Sequence, residues 1–222
     1  MKKNILIFTL SIIFSACSQN KDSFKKSEFY FESVQEQADS LVYFMEKSFE
    51  TKNLKWEHKF FNAFPETFSG MEKIFGYDDI KGEAPLYSSE KYFGKYLDKR
   101  IMSNIIGYFS EIKSVPNFNY IEKYINININ GKWEADNIQN GFGIYYLIID
   151  RTKEFVEIAS NFSKTEMKSV FKFIFDSPHP KNAYNEKLFE SLNIEIKKYD
   201  NRLSIILTEA YNELIIEKNH HD

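Results

Sequence analysis

Apolar side chains recur every three or four positions along most of the chain, which is the period of an amphipathic α-helix. Ser33 and Glu36 form a capping-box pattern ahead of the first such stripe. That stripe consists of Val34, Ala38, Leu41, Val42, Met45 and Phe49. Residues 56–75 show the same period, interrupted near Pro65, and Gly76 is expected to end this helix. Two or three helices are therefore predicted in the first third of the chain.

Three further helical patterns follow. Residues 89–112 carry apolar side chains on one face. Ser163 and Glu166 repeat the capping-box pattern ahead of a helix that should stop before a pair of prolines. The last predicted helix covers residues 200–217. Its expected buried side chains are Leu203, Ile206, Leu207, Ala210, Tyr211 and Leu214. The fold class predicted from these patterns is mainly α, a helical bundle of about six helices.

The region 124–162 permits two interpretations. Isoleucine and asparagine alternate in residues 125–130, and residues 141–150 form an apolar run that begins with two glycines around a phenylalanine, so the region 124–149 could form a small two-stranded element. Asparagine is depleted in strands, however, and residues 133–162 also fit one long buried helix. We favour the long helix, preceded by an extended connection that ends at Gly131.

The beginning of the chain has the pattern of an export signal. Two lysines precede residues 5–14, an apolar run too short to span a bilayer and typical of a secretory leader. Small residues then lead to Cys17, the only cysteine. This arrangement resembles the lipobox of bacterial lipoproteins, with Phe14 in place of the usual leucine. The resemblance implies that residues 1–16 are removed and that Cys17 carries the lipid.

The resemblance to lipoproteins also suggests a location. We expect residues 17–29 to be a lipidated N-terminus and flexible tether, followed by a single helical domain over residues 30–222. Surface-displayed lipoproteins of the Bacteroidota often carry an acidic cluster after the cysteine. Here only Asp22 follows, next to Lys21. The expected location is therefore the outer membrane, lipid-anchored and facing the periplasm.

Charge and motif content exclude several functions. Removal of residues 1–16 would leave 27 basic and 32 acidic residues, a net charge of −5. Nucleic-acid binding requires a concentrated basic face, so no nucleic-acid partner is expected. The chain has no GxSxG, P-loop or GxGxxG motif, and no cofactor is predicted.

Few residues suggest catalysis or metal binding. His58 and His179 are far apart in sequence and show no metal-ligand spacing, while two further histidines lie in the terminal tail, so no metal site is predicted. Asp176, Ser177 and His179 are close in sequence, but a proline-bounded turn is poorly suited to a catalytic triad. A helix stop is the preferred interpretation. We therefore predict a protein that is not an enzyme.

Two segments are candidates for binding a protein partner. The loop 76–88 contains Asp78, Asp79 and Glu83, which could contact a basic partner. Trp133 is either an interface anchor or a core residue, since tryptophan is common in both. The predicted partner-binding residues are these four.

Three segments together resemble a group of Bacteroidota proteins, some with lipoprotein leaders. They are "FFNAFP" at 60–65, "GKWEAD" at 131–136 and "FDSPHP" at 175–180. That group is similar to immunity proteins encoded beside antibacterial toxins. The resemblance implies a non-enzymatic binding protein that neutralises a secreted toxin in the periplasm. The alternatives are an envelope hydrolase or small-ligand-binding protein that uses His58, Asp176 and His179, and a structural subunit of an envelope complex.

Overall fold

The structure, a computed structural model, describes residues 23–78, 82–87, 105–134 and 137–219. These residues form ten α-helices, a 3₁₀ turn and a two-stranded antiparallel ladder. The helices are α1 (Val34–Thr51), α2 (Leu54–Ala63), α3 (Phe68–Phe75), α4 (Ile105–Ser110), α5 (Asn117–Asn126), α6 (Ile144–Asp150), α7 (Thr152–Ala159), α8 (Lys164–Phe175), α9 (Ala183–Lys197) and α10 (Asn201–Asn219). The ladder pairs β1 (Tyr77–Asp78) with β2 (Gly82–Glu83), and the 3₁₀ turn is Asn140–Gly143. The predicted mainly α fold is confirmed, with more helices than six.

Some sequence predictions lie outside the described residues. These are the leader and Cys17, Asp79, the two terminal histidines and most of the helix predicted at 89–112. The C-terminal part of that predicted helix is present as α4, and Pro116 directly precedes α5 as a helix-starting residue.

The first helix begins where its capping residues predict. The Ser33 hydroxyl accepts a hydrogen bond from the Glu36 N–H at 3.1 Å. The Glu36 carboxylate accepts from the N–H of Glu32 rather than from that of Ser33, so only half of the capping box forms. Ala38, Leu41, Val42 and Met45 of the predicted stripe are buried, whereas the stripe's two ends, Val34 and Phe49, are exposed.

The predicted interruption near Pro65 separates α2 from α3. The second helix ends at Ala63, and the third begins after Thr67, whose hydroxyl accepts from the Gly70 N–H at 3.2 Å. The break is buried: the Phe64 ring is stacked on Phe109 of α4 at a centroid distance of 4.1 Å. Packing of aromatic rings therefore holds the first three helices against the middle of the chain.

Both interpretations of the region 124–162 are wrong. Residues 117–126 are helical, and hydrogen-bonded turns follow up to Asn130 instead of a strand or an extended connection. The buried Asn128 donates from its side chain to the backbone oxygen of Tyr124, and such a bond competes with helix propagation. The one isolated bridge in this part joins Glu134 to Ile138.

The predicted long helix over 133–162 is replaced by the 3₁₀ turn and two short helices. Gly141, Phe142 and Gly143 have φ values of 57°, 52° and 80°, so the backbone is left-handed where the helix would have started. Glycine adopts this conformation without steric cost. Phe142, which lies between the two glycines, adopts it at a steric cost because it has a Cβ atom. Arg151 then separates α6 from α7.

The C-terminal helices agree with the sequence where they were predicted. Helix α8 has the complete capping box of Ser163 and Glu166, and all six side chains expected on the inner face of α10 are buried. Helix α9 was not predicted. Its apolar contribution to the core is small, with Leu192 and Ile196 fully buried and Ile194 exposed, so its period is weak.

Side chains of opposite charge connect α8 with α10 at the surface. Lys164, Lys168 and Lys172 are spaced one helical turn apart, and each forms an ion pair with a glutamate of α10. The shortest distances are 2.8 Å for Lys164–Glu209, 2.6 Å for Lys168–Glu213 and 2.6 Å for Lys172–Glu217. Exposed pairs contribute little individually, at most about 1 kcal/mol each. The two helices therefore pack in a register that places each of these lysines beside a glutamate.

The residues before α1 lie against the domain. Phe24 contacts Phe61 edge to face at a centroid distance of 5.5 Å, and the side-chain amide of Asn62 donates to the Lys25 carbonyl oxygen at 2.9 Å. Phe29 is packed against the core. The part of the predicted tether from residue 23 onward therefore has no regular secondary structure, but it contacts the folded domain.

Candidate binding surfaces

The contacts of His58 are those of a residue that stabilises the fold. It is buried on α2, with Nε2 3.3 Å from the Ser114 carbonyl oxygen and with the Phe24 ring packed edge to face at 5.4 Å. Both contacts connect α2 to neighbouring backbone segments. They use one ring nitrogen and one ring face, which is what a packed core histidine requires.

Asp176, at the C-terminal end of α8, also makes contacts that stabilise the fold. Its Oδ2 accepts from the Trp133 N–H at 2.8 Å, and its Oδ1 forms an ion pair with the Lys218 ammonium at 3.0 Å. His179, three residues on, is exposed. No contact found in the described ranges joins His58 to Asp176 or His179, and no three histidine, cysteine, aspartate or glutamate side chains come together there as a metal site.

A groove lies between the β1–β2 hairpin, α3 and the segment 132–134. It has a volume of about 650 Å³ and is lined by Glu72, Glu83, Glu134, Lys132 and Tyr77, among others. Of the four residues predicted to bind a partner, Glu83 lines this groove directly. The hairpin and the segment around Trp133, which the sequence indicated separately, therefore share one concave surface.

Lysine and glutamate side chains form a small network in this groove. Lys132 places its ammonium 2.7 Å from Glu134 Oε1 and 3.8 Å from Glu72 Oε1. Burial raises the pKa of Glu72, and the nearby Glu134 carboxylate raises it further. The hydrogen bond to Glu134 is the main reason that the pKa of Lys132 is also raised. Glu83, which also lines the groove, is exposed.

The other predicted partner-binding residues are placed as follows. Trp133 is half-buried, and its N–H is bonded to Asp176, while its neighbours Lys132 and Glu134 line the groove. Asp78 belongs to β1, and its backbone pairs with Gly82.

A second concave surface, which we call the tyrosine cleft, was not found from the sequence. It has a volume of about 640 Å³ and lies between α4, α5, the 3₁₀ turn, α6 and the start of α9. Its lining contains five tyrosines: Tyr120, Tyr124, Tyr145, Tyr146 and Tyr184. The hydroxyls of Tyr120 and Tyr124 bind backbone oxygens, at 2.9 Å to Ser110 and 2.6 Å to Phe142. These two rings are thus fixed in place.

The remaining three tyrosines form the rim of the cleft. The Tyr145 and Tyr146 rings are 3.8 Å apart by centroid, and the Tyr184 hydroxyl donates to that of Tyr145 at 3.2 Å. Burial and these tyrosine neighbours raise the pKa of Tyr145. Tyr146 is 63% exposed and Tyr184 60%. The stretch "GFGIYY" contained a signal for this site, since glycines flanking an aromatic residue suggest a left-handed turn.

Arg151 is the positively charged group held most firmly at the cleft. Its Nη1 donates to Asn117 Oδ1 at 2.9 Å, and its guanidinium lies over the Tyr120 ring, 5.4 Å from the centroid. Lys113 and Asp150 are exposed charged residues that also line the cleft. The cleft thus combines aromatic faces with one oriented cation.

Comparison with known proteins identifies no relative. No protein-family model matches the chain, and no curated protein or solved structure matches it significantly. None of the described helices combines the length and the apolar character that crossing a membrane requires.

Proposed function

We propose that this protein is a non-enzymatic, lipid-anchored binding protein of the bacterial envelope, and that it neutralises an antibacterial toxin in the periplasm. The observation that carries the proposal is the groove beside the β1–β2 hairpin. Two segments that the sequence indicates as contact surfaces, the acidic loop and the residues flanking Trp133, both contribute to its lining.

The charges of the groove suit a partner with a basic segment. Three glutamates, Glu72, Glu83 and Glu134, face two lysines, and Lys132 already pairs with two of the three carboxylates. The exposed Glu83 is then available to an incoming cation. Charges at the rim of an interface mainly accelerate association and select the partner, which is what an inhibitor of a secreted protein requires.

Membrane attachment is supported by the leader and by the single cysteine. An acyl chain on Cys17 would hold the protein at the membrane, where two or more chains give stable anchoring. The proposal predicts that a Cys17→Ser variant loses incorporation of labelled palmitate and moves from the membrane to the soluble fraction. Membrane retention of this variant would contradict the proposed anchor.

The partner can be sought directly. The mature domain without the lipidated cysteine, residues 18–222, is used to capture ligands from culture supernatant that contains secreted toxins. The expected result is one stoichiometric protein that kills cells lacking this chain and spares cells producing it. Recovery of envelope components alone would support a structural subunit instead, and failure of the chain to protect would refute the immunity function.

The groove is tested with the captured partner. Glu83→Lys should slow association several-fold at low salt, and the effect should shrink as ionic strength rises. Glu190→Lys is the matched control, since Glu190 is an exposed glutamate of α9 that does not line the groove. Equal binding by both variants would show that the partner uses another surface.

A further inference from the structure

We propose that the tyrosine cleft is a carbohydrate-binding site, and that the sugar it takes carries a carboxylate. The cleft and the hairpin groove have different lining residues. The proposal therefore stands independently of the toxin partner.

The rim offers aromatic faces that the protein itself leaves exposed. The rings of Tyr146 and Tyr184 are more than half accessible although each belongs to a helix that packs on the core. A tyrosine ring has an apolar face and a polar hydroxyl. The C–H face of a pyranose is also apolar, and its hydroxyls point outward from the ring edge. Stacking of a sugar on such a ring covers apolar surface on both molecules and leaves the hydroxyls free to form hydrogen bonds.

Uncharged polar side chains line the cleft beside these rings. Asn137 and Asn140 each offer both a donor and an acceptor, as sugar hydroxyls do, and the Ser110 hydroxyl, which donates to the Gly107 oxygen at 2.7 Å, remains an acceptor. The Asn137 side-chain amide donates to the Tyr87 backbone oxygen, which holds the side chain in one orientation. A lining of neutral, two-way hydrogen-bonding groups suits a polyhydroxyl ligand better than an apolar one.

The positive charge of Arg151 indicates that the ligand carries a negative charge. The bond to Asn117 and the position over Tyr120 use part of the guanidinium and fix its plane. Arginine has five N–H donors, so others remain for a bidentate bond to a carboxylate. Lys113 adds a second positive charge at the cleft, whereas Asp150 supplies one negative charge among the described lining residues. The carboxylate of Asp150 can accept from sugar hydroxyls.

The wall of the cleft is preorganised. The left-handed residues 140–143 are held by the 2.6 Å bond from the Tyr124 hydroxyl to the Phe142 oxygen. At the non-glycine residues Asn140 and Phe142 such a conformation persists only where surrounding contacts enforce it, and left-handed non-glycine residues concentrate at binding sites. A volume of about 640 Å³ is within the range of small-ligand sites and suits a di- or trisaccharide.

Binding is tested with matched acidic and neutral sugars. Purified residues 18–222 are titrated with sialyllactose, digalacturonate and the disaccharide of N-acetylglucosamine and N-acetylmuramic acid. Lactose, digalactose and chitobiose are the neutral counterparts. We expect at least one acidic sugar to bind in calorimetry at least about tenfold more tightly than its neutral counterpart. In saturation-transfer NMR its C–H protons should receive magnetisation from tyrosine. No binding of any acidic sugar at millimolar concentration, or equal binding of acidic and neutral sugars, would overturn the proposal.

Two variants and one control locate the binding. Arg151→Lys keeps the charge but loses the planar fork, so the preference for the acidic sugar should fall about tenfold. Tyr146→Ala removes an exposed ring. It should lower the affinity for both the acidic sugar and its neutral counterpart, and it should leave the melting temperature unchanged. Tyr199→Ala is the control, because Tyr199 is an exposed tyrosine outside the cleft. Loss of binding in the control, or unchanged binding in both cleft variants, would refute the assignment. Glu83→Lys should leave sugar binding unchanged, so this result is separate from the test of the toxin partner.

Discussion

Lys123 provides the most specific prediction about stability. Its side chain is only 3% exposed, yet it carries an ammonium group that donates to the backbone oxygens of Phe61 at 2.6 Å and Phe64 at 3.0 Å. Glu66 lies 2.8 Å away and is half exposed. A buried lysine of this kind normally needs a reason, since burial of a charge is unfavourable.

The reason lies in the break between α2 and α3. In a continuous helix the oxygen of Phe61 would accept from the N–H of residue 65, but residue 65 is proline and has none. A buried carbonyl without a donor costs about 1–3 kcal/mol. Lys123, which reaches this point from α5, replaces the missing donor and satisfies the Phe64 oxygen as well.

Burial lowers the pKa of Lys123 to about 8, against the opposing effect of Glu66. The usual value of 10.5 applies in the unfolded chain. Between these two values the unfolded state binds more protons, so the free energy of unfolding rises with pH and falls as the pH drops through about 8. The titration of Lys123 changes the free energy of unfolding by about 3 kcal/mol in total. About 2 kcal/mol of this change develops between pH 8 and pH 10.

Other titrating groups oppose this gain in the upper part of the window. Burial raises the pKa of Tyr108 to about 12, and it also raises the pKa values of Tyr120 and Tyr124. Unfolded tyrosines ionise near pH 10, so these three begin to reduce stability above about pH 9, by about 0.4 kcal/mol each at pH 10. Lysines with raised pKa values stabilise the fold below their usual pKa, and this stabilisation is lost as the pH rises through that value. Stability should therefore be greatest between about pH 9 and pH 10.

The assay is urea unfolding followed by circular dichroism at constant ionic strength, from pH 7 to pH 10. The wild-type protein should gain about 1 kcal/mol between pH 7 and pH 9, where the tyrosines of the unfolded chain are still largely protonated, and Lys123→Met should lose that gain. Lys153→Met, at an exposed lysine of α7, should retain it. A wild-type protein with flat stability, or a Lys123→Met variant with the wild-type slope, would refute the role assigned to this lysine.

Three further substitutions test packing and capping, each by urea unfolding at pH 7. Gly131→Ala should destabilise the protein by about 1–3 kcal/mol, because an added Cβ would overlap the buried Phe173 ring; wild-type stability would show that the ring moves freely. Ser163→Ala should cost about 1 kcal/mol through loss of the α8 cap, and no change would mean that the cap is redundant. Asp176→Asn keeps an acceptor for the Trp133 N–H, so it should be more stable than Asp176→Ala by about 1–2 kcal/mol; the reverse order would contradict this bond.

Local signals in the sequence predicted the helices that have strong ends and wide apolar faces. Ser33, Pro65 and Ser163 mark ends of helices in the structure, and the stripe of α10 is buried as a whole. These predictions succeed because capping and helical period depend on residues only three or four positions apart.

Helices that depend on distant partners were missed. Helix α9 buries few side chains, and α5 contains several asparagines that favour turns. In α5 the buried Tyr120 and Lys123 bind backbone oxygens of α4 and α2, contacts that no local pattern can reveal. Packing therefore overrides a weak propensity in this part of the chain.

The same distinction applies to the candidate surfaces. The sequence by itself determined that the chain is mainly helical, that the leader resembles that of a lipoprotein, and that residues 76–88 are rich in turn-forming and acidic residues. Only the tertiary structure decided that Glu83 and Glu134 line one groove, and that Tyr184 meets Tyr145 across 39 residues beside Arg151. Periodicity shows which face of a helix is buried. It carries no information about which other element covers that face, because pairing of elements is determined by the packing of the whole core.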